Sequence, residues 1–508
     1  MARITNTFKN LKWAFIAQFI TLGIGLVMPR LIILTFGSAI NGLTATINQI
    51  VSVMNLLQAG AVGASIFAMF KPAADNNYKQ ISLILHSSRS YFKKLGWVFL
   101  LLTFIVAPIL AIQLADNDIS FIEIILAVAI LGINSSFSYF FFSFYDILFS
   151  SQQKRYFLSI ASVVQSLVYY ALLFTILNCK VSFIFMYVAV LLGSWIKLAV
   201  LFLIYRKQYA SKLQPVEKDE KINIPNRGHL LINQISTQAV DSSPTLFIAF
   251  NYDTKMASVY SIYYLVFTVI KVLISIIHES INEVFGNLVF SGDKSKVESI
   301  FNLMLFVFII IGTFISMCTS FLFMPFISLY TNGILDANYS IPLLALFILL
   351  YFLVYCFYMP FFTLSNVCGL YKETYLQSMV SGIVALAISF IFTRYSEMSF
   401  VLTGPIFYYL TSLIYRMIII KNKTNWLSTI KKPVSRITLF VVMPLISFYL
   451  QQHFAIHVVS WYDLFKLSII TAFFSIIVLI SYILFFEKSE LMELKCYISI
   501  LIKSILSR

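Results

Sequence analysis

Charged residues are scarce in this chain of 508 residues, at 11% of positions against about 25% in soluble domains. So few charges cannot build a polar surface, and the scarcity also excludes disorder and a nucleic-acid-binding domain. Acidic groups are fewer still, 21 against 36 Lys and Arg. The five cysteines, Cys179, Cys318, Cys356, Cys368 and Cys496, are scattered without CxxC spacing. That argues against a disulfide framework or a metal cluster. No Walker-type phosphate loop is present, so the chain does not hydrolyse ATP. The first residues, MARITNTFKNLKW, are basic and lead into an apolar run without a small-residue cleavage site, which reads as a retained first span.

What the chain has in abundance is apolar sequence, 60% of it, with 17% aromatics. A spanning helix needs about 20 mostly apolar residues, and fourteen stretches qualify: 12–35, 41–69, 95–114, 121–149, 157–178, 181–205, 230–250, 257–283, 301–325, 341–367, 375–393, 398–420, 437–452 and 464–486. The runs are continuous and not alternating, which favours helices over a β-barrel. The predicted fold is an all-α membrane protein of about 14 transmembrane helices.

Basic residues set the orientation, because Lys and Arg collect in short cytoplasmic loops. With the N-terminus inside, 29 of the 36 fall on the inner side and four on the outer, leaving Arg30, Lys197 and Lys271 within spans. A single missed helix would invert every later loop. Both termini are therefore predicted to be cytoplasmic, in a multi-pass protein of the plasma membrane.

The longest connection, 206–229, follows span six. It divides a six-helix bundle at 1–205 from a second at 230–421, the parallel-repeat layout of several transporters. Residues 422–486 add two further spans. In the tail, 487–508, Leu491, Leu494, Ile498, Leu501, Ile502 and Ile505 share one helical side, which suits an interfacial helix on the inner leaflet. No outer loop reaches about 20 residues, so the extracytoplasmic chemistry of membrane glycosyltransferases and polymerases has no place here. The chain reads as a transporter, channel or scaffold, not an enzyme, and calls for no cofactor.

Ionisable groups deep in a bilayer are costly and face a cavity or a partner. Asp241 in span seven lies about 16 Å above the inner end of its helix and Lys271 in span eight about 18 Å, at 1.5 Å per residue. Those depths allow the two to meet. Each sits in a polar stripe at helical spacing: Gln234, Gln238, Asp241 and Thr245; Lys271, Ser275, His278 and Asn282. Span two repeats the pattern without charge in Asn41, Thr44, Asn48, Ser52 and Asn55. A shared hydrated cavity accounts for all three; interhelical hydrogen bonding is the competing account, above all for span two. Arg30, beside the helix-bending Pro29, either faces that cavity or snorkels to the interface, and Lys197 is the stronger candidate for snorkelling. His278 reads as a packed, satisfied side chain. Cavity cations without matching carboxylates favour an anionic substrate, phosphate above all.

Two blocks carry a family resemblance. RLIILTFGSAINGLTATINQIVSVMNLLQAGAVGASIFAMFKPAADNNYKQI resembles the signature of bacterial polysaccharide (Wzx-type) flippases running from span one through the second loop. INQISTQAVDSSPTLFIAFNYDTKMASVYSIYYLVF is similar to their span-seven segment with its central acid. The resemblance runs over spans 1–12. It implies the fold of the multidrug/oligosaccharidyl-lipid/polysaccharide exporter (MOP) superfamily, two six-helix bundles in a V around a cationic lumen. It also implies the movement of undecaprenyl-diphosphate-linked oligosaccharide repeat units, for O-antigen or capsule, from the inner to the outer leaflet by alternating access. Arg30 matches the family's span-one cation and Asp241 its span-seven acid; Lys271 is nominated from its depth in this chain. The expected substrate-binding set is Arg30, Asn48, Asn55, Lys197, Gln234, Asp241 and Lys271. Implied partners are the polyprenyl-diphosphate-linked glycan, membrane lipids, a coupling ion (H+ or Na+) and glycan polymerase or assembly proteins. The alternatives on the same fold are a cation-coupled multidrug antiporter and a lipid II flippase. The first expects acids deep in the first half, where spans one and two have none. The second expects a first-lobe Arg cluster, and only Arg30 is deep.

Overall fold

The computed structural model describes residues 2–58, 61–75, 77–179, 181–214, 228–290, 294–424, 433–454, 458–488 and 492. Every regular element among them is helical. In chain order these are α1 (Ala2–Phe36), α2 (Ser38–Met54), α3 (Ala61–Ala74), α4 (Tyr78–Leu114), α5 (Phe121–Phe137), α6 (Ser143–Ser151), α7 (Tyr156–Cys179) and α8 (Ile184–Gln208). After them come α9 (Gly228–Asn251), α10 (Thr254–Phe290), α11 (Lys294–Tyr330), α12 (Pro342–Val367), α13 (Tyr371–Tyr395), α14 (Thr403–Thr424), α15 (Pro433–Phe454) and α16 (Trp461–Phe486). Each of the fourteen expected spans falls on this helical framework. Twelve are long and apolar enough to cross a membrane. The other two are α9 and α15, and α9 carries Gln234, Gln238 and Asp241.

Two spans are not the simple rods their hydropathy suggested. Span two is broken: α2 ends at Met54, Asn55–Gln58 form a 3-10 turn, and α3 starts again at Ala61. Span four changes register through a π turn, Ser138–Phe142, between α5 and α6. Apolar content is blind to both, because it measures composition and not hydrogen-bond phase. Pro29, by contrast, sits inside an unbroken α1.

The chain forms two compact units, Met1–Ser261 and Ile262–Arg508. In the first, α4 packs on α5, α7 on α8, α1 on α7, α5 on α8 and α2 on α9. Its centre is aromatic, with Phe92, Phe99, Tyr139, Phe149 and Tyr209 buried together. Small residues and hydroxyls fasten the helices, as is usual where lipid removes the hydrophobic drive for helix association. A Cβ on Gly132 of α5 would come within 2.1 Å of the Thr103 methyl of α4. Gln165 donates to Ser194 (3.1 Å), which donates to Asn134 (2.6 Å), tying α7, α8 and α5 together. The boundary at Ser261 lies downstream of the predicted linker, because α9 and the first turns of α10 pack among the earlier helices. Residues 215–227 of that linker lie outside the described residues, as do 489–491 and 493–508 of the predicted amphipathic tail.

In the second unit α11 is central, touching α12, α15 and α16, while α14 bridges α12 and α13. The two additional spans therefore pack onto the unit through α11. The Tyr263 hydroxyl donates to the Tyr339 carbonyl (2.7 Å) and accepts from the Ile341 amide (2.9 Å), fixing the chain where it enters α12. Capping boxes Ser120–Glu123 and Ser460–Asp463 start α5 and α16.

Candidate functional site

The polar stripe of α2 divides into two parts. Its first part is knitted into neighbouring helices, as the hydrogen-bonding account foresaw. Asn41 donates to Ser258 (2.8 Å) and Ser261 (3.1 Å) of α10, and Thr44 shares a hydrogen bond with the buried Tyr187 (3.0 Å). Below them Ser242 of α9 donates to Gln49 (2.9 Å) and accepts from Gln238 (3.1 Å). Asn48 and Ser52 are exposed instead, and so is Gln234 on α9. The register that sets Gln49 opposite Ser242 brings Ser52 and Asn55 to the level of Gln238 and Gln234, at about 1.5 Å per residue along antiparallel helices. An exposed polar face at that depth belongs against water, not acyl chains.

Asn55 lies where α2 ends, and its side-chain amide oxygen, Oδ1, is buried without a hydrogen-bond partner among the described residues. A buried acceptor left open costs about 1–3 kcal/mol, so a donor from a ligand or a water would be well received there. Tyr139 donates to the Met54 carbonyl (3.3 Å), and Gln58 bonds Ser138 (3.2 Å). The helix break in span two and the π turn in span four thus support each other.

The expected charged residues of the first unit take different positions. Arg30 is half-buried, six residues before the end of α1. Asp241 is buried at 5% exposure on α9. Lys197 is half-buried on α8, its ammonium 4.9 Å from the Phe142 ring of the π turn and in the field of the Asp146 carboxylate. The structure brings Asn48, Asn55, Gln234 and Asp241 onto two neighbouring helices, α2 and α9; Arg30 and Lys197 stand on others.

Lys271 belongs to the second unit, and its surroundings are aromatic. The ammonium lies 4.9 Å from the Tyr355 ring and 5.8 Å from Phe267. From Tyr355 a chain of rings continues to Tyr409 (5.5 Å) and on to Tyr358 (5.1 Å). It ends at Arg416, whose guanidinium is 5.5 Å from Tyr358 and 5.0 Å from Phe362. Arg416 is 2% exposed, donates to Ser365 through one terminal nitrogen, and has a buried Nε without a partner. Sequence reasoning placed Arg416 among the loop cations of the inner side and so missed it. The available signal was Tyr351, Tyr355 and Tyr358, which recur at helical spacing on α12 and make one helix face a row of rings. His278 is satisfied as expected, bonding Thr363 at 2.6 Å.

Cation–π contact holds arginine and lysine against aromatic faces, and the guanidinium is the more weakly hydrated of the two. Cations so held suit an oxyanion, and exposed amide and hydroxyl groups suit a hydroxyl-rich group.

No family model and no curated protein sequence matches the chain. Solved structures do. The lipid II flippase MurJ in an inward closed conformation is similar at TM-score 0.69 and 14% identity, over 94% of this chain and 99% of that one. An inward-facing multidrug resistance MATE family transporter of the MOP superfamily matches at TM-score 0.62 and 13% identity, over 82% and 99%. The eukaryotic MATE transporter AtDTX14 matches at TM-score 0.58 and 12% identity, over 89% and 100%. At such identities the likeness is one of architecture: this multi-pass membrane protein has the fold of the MOP-superfamily transporters and the lipid II flippase.

Proposed function

We propose that the protein is a flippase that carries undecaprenyl-diphosphate-linked oligosaccharide repeat units from the inner to the outer leaflet of a bacterial plasma membrane by alternating access. One observation carries this reading: a row of tyrosines in the second unit with Lys271 at one end and Arg416 at the other. In this reading Arg30, Lys271 and Lys197 attract the diphosphate, and Asp241 takes part in coupling to H+ or Na+. Asn48, Asn55 and Gln234 hydrogen-bond the sugar. The polyprenyl tail stays in lipid, both termini face the cytoplasm, and glycan polymerase or assembly proteins are partners that act on the same glycan.

The test is surface glycan in a strain lacking the chromosomal copy. Arg30→Ala and Lys271→Ala proteins should insert normally and leave the glycan at the cytoplasmic face. Normal surface glycan with both changes together overturns the reading. A second reading, flipping of lipid II, draws on the fold likeness over 94% of the chain; rescue of a strain depleted of its lipid II flippase would favour it. Drug sensitivity with unchanged glycan would point instead to a cation-coupled multidrug antiporter.

A further inference from the structure

The first unit holds a cavity of about 480 Å³ between α4, the π turn, α6 and α8. Pockets for small molecules occupy about 300–1,000 Å³. Its wall is mostly aromatic and includes Phe140 of the π turn, Phe144, Trp195 and Phe202, the last two 54% and 48% exposed. Trp195, Leu198, Ala199, Phe202 and Tyr205 line it at helical spacing, so one outward face of α8 forms a side of the groove. From Tyr205 to Trp195 it rises about 15 Å, at 1.5 Å per residue.

One charged group lies at the lower, predicted cytoplasmic end. Arg89 is exposed on α4, its guanidinium 5.8 Å from the Phe144 ring, and no carboxylate pairs with it among the described residues. Two phenols, Tyr145 and Tyr205, stand beside it with their rings 6.1 Å apart. Lys93 and Lys94 are exposed one turn further along the same helix. Tyrosine is the residue of the membrane interface, so this end sits at headgroup level while the aromatic wall reaches into the hydrocarbon. Gly96 makes the wall possible: a Cβ there would lie 2.9 Å from the Phe140 ring.

We infer that the groove is a binding site for one anionic phospholipid of the inner leaflet. Its phosphate lies at Arg89 between the hydroxyls of Tyr145 and Tyr205, and an acyl chain rises along Phe144, Phe140, Phe202 and Trp195. A single guanidinium matches a single phosphodiester charge. Basic pockets between spanning helices on the cytoplasmic side recognise anionic headgroups in this way. The site is independent of the transport reading, because its ligand is a structural lipid and not cargo.

The test uses the full chain in phosphatidylcholine vesicles carrying brominated phosphatidylglycerol, with tryptophan quenching as the readout and Trp195→Phe to assign the signal. Brominated phosphatidylglycerol should quench Trp195 at a fraction about fivefold below that needed for brominated phosphatidylcholine, the factor one interfacial cation supplies. Arg89→Gln should erase that preference and Arg89→Lys should retain part of it. Equal quenching by the two lipids, in wild type or without dependence on Arg89, overturns the assignment. Stronger displacement by undecaprenyl phosphate than by phosphatidylglycerol overturns it as well, in favour of a carrier tail. Filling the groove with Ala199→Phe should remove Trp195 quenching while surface-glycan export is read separately.

Discussion

Gly42 of α2 meets the Thr254 carbonyl so closely that a Cβ at Gly42 would lie 1.6 Å from the Thr254 oxygen. The obstacle is backbone, so nothing flexible can move aside. Gly42→Ala should push α2 away from the start of α10 and break the Asn41–Ser258 hydrogen bond. Overpacking of this kind costs about 1–3 kcal/mol. The check is a lower melting temperature in detergent together with loss of a disulfide engineered by Asn41→Cys and Ser258→Cys.

Arg436 and Glu487 form a two-pronged ion pair, 2.8 and 2.9 Å, with side-chain exposures of 2% and 0%. Breaking a buried pair by removing one partner strands a charge and costs about 3–5 kcal/mol. Glu487→Ala should therefore unfold the second unit at much milder temperature. Arg436→Met with Glu487→Leu should recover most of the loss. A double-mutant cycle on thermal stability measures the coupling.

Arg416→Lys keeps the charge but loses the planar fork that lies against Tyr358 and Phe362. Under the proposed function, export should fall at least about tenfold while the protein folds, since a hydrogen bond to a charged group contributes about 1.5–3 kcal/mol. Isothermal binding of a short-chain polyprenyl diphosphate to purified protein separates this from an insertion defect. Unchanged binding would exclude Arg416 from the substrate path.

Lys154, in the turn between α6 and α7, donates to Gln208 at 3.2 Å and lies 5.2 Å from the Tyr209 ring. Burial, and then the positive charge of Lys212, lower its pKa below the usual 10.5. Between that lowered value and 10.5 the unfolded chain binds more protons, so stability gained from this group rises with pH. Below its folded pKa the cost of holding the charge is fully present. The melting temperature of wild type relative to Lys154→Met should climb as pH is raised toward 10.5.

Much of the helical plan was legible from apolar runs, because a spanning helix needs about 20 apolar residues. Less was visible where helices outlast the bilayer. α4, α10 and α11 each have 37 residues, well beyond the 20 that hydropathy reports. Arg416 and Arg436 were counted with the inner-side cations from charge alone, yet they lie on α14 and α15 at 2% and 1% exposure. The span-two stripe was half legible. Spacing revealed the face, but only packing separated Asn41, which is bonded, from Asn48, which is exposed. The break at Asn55 and the π turn at Ser138–Phe142 depend on hydrogen-bond partners far away in sequence, such as Tyr139 for Met54.

A single residue, Gly37, joins α1 to α2, with φ 87° and ψ 169°, a conformation almost reserved for glycine. With no residue to spare, the end of α1 and the start of α2 are held one residue apart, and the angle between the two helices can change only through the dihedrals of Gly37 and its immediate neighbours.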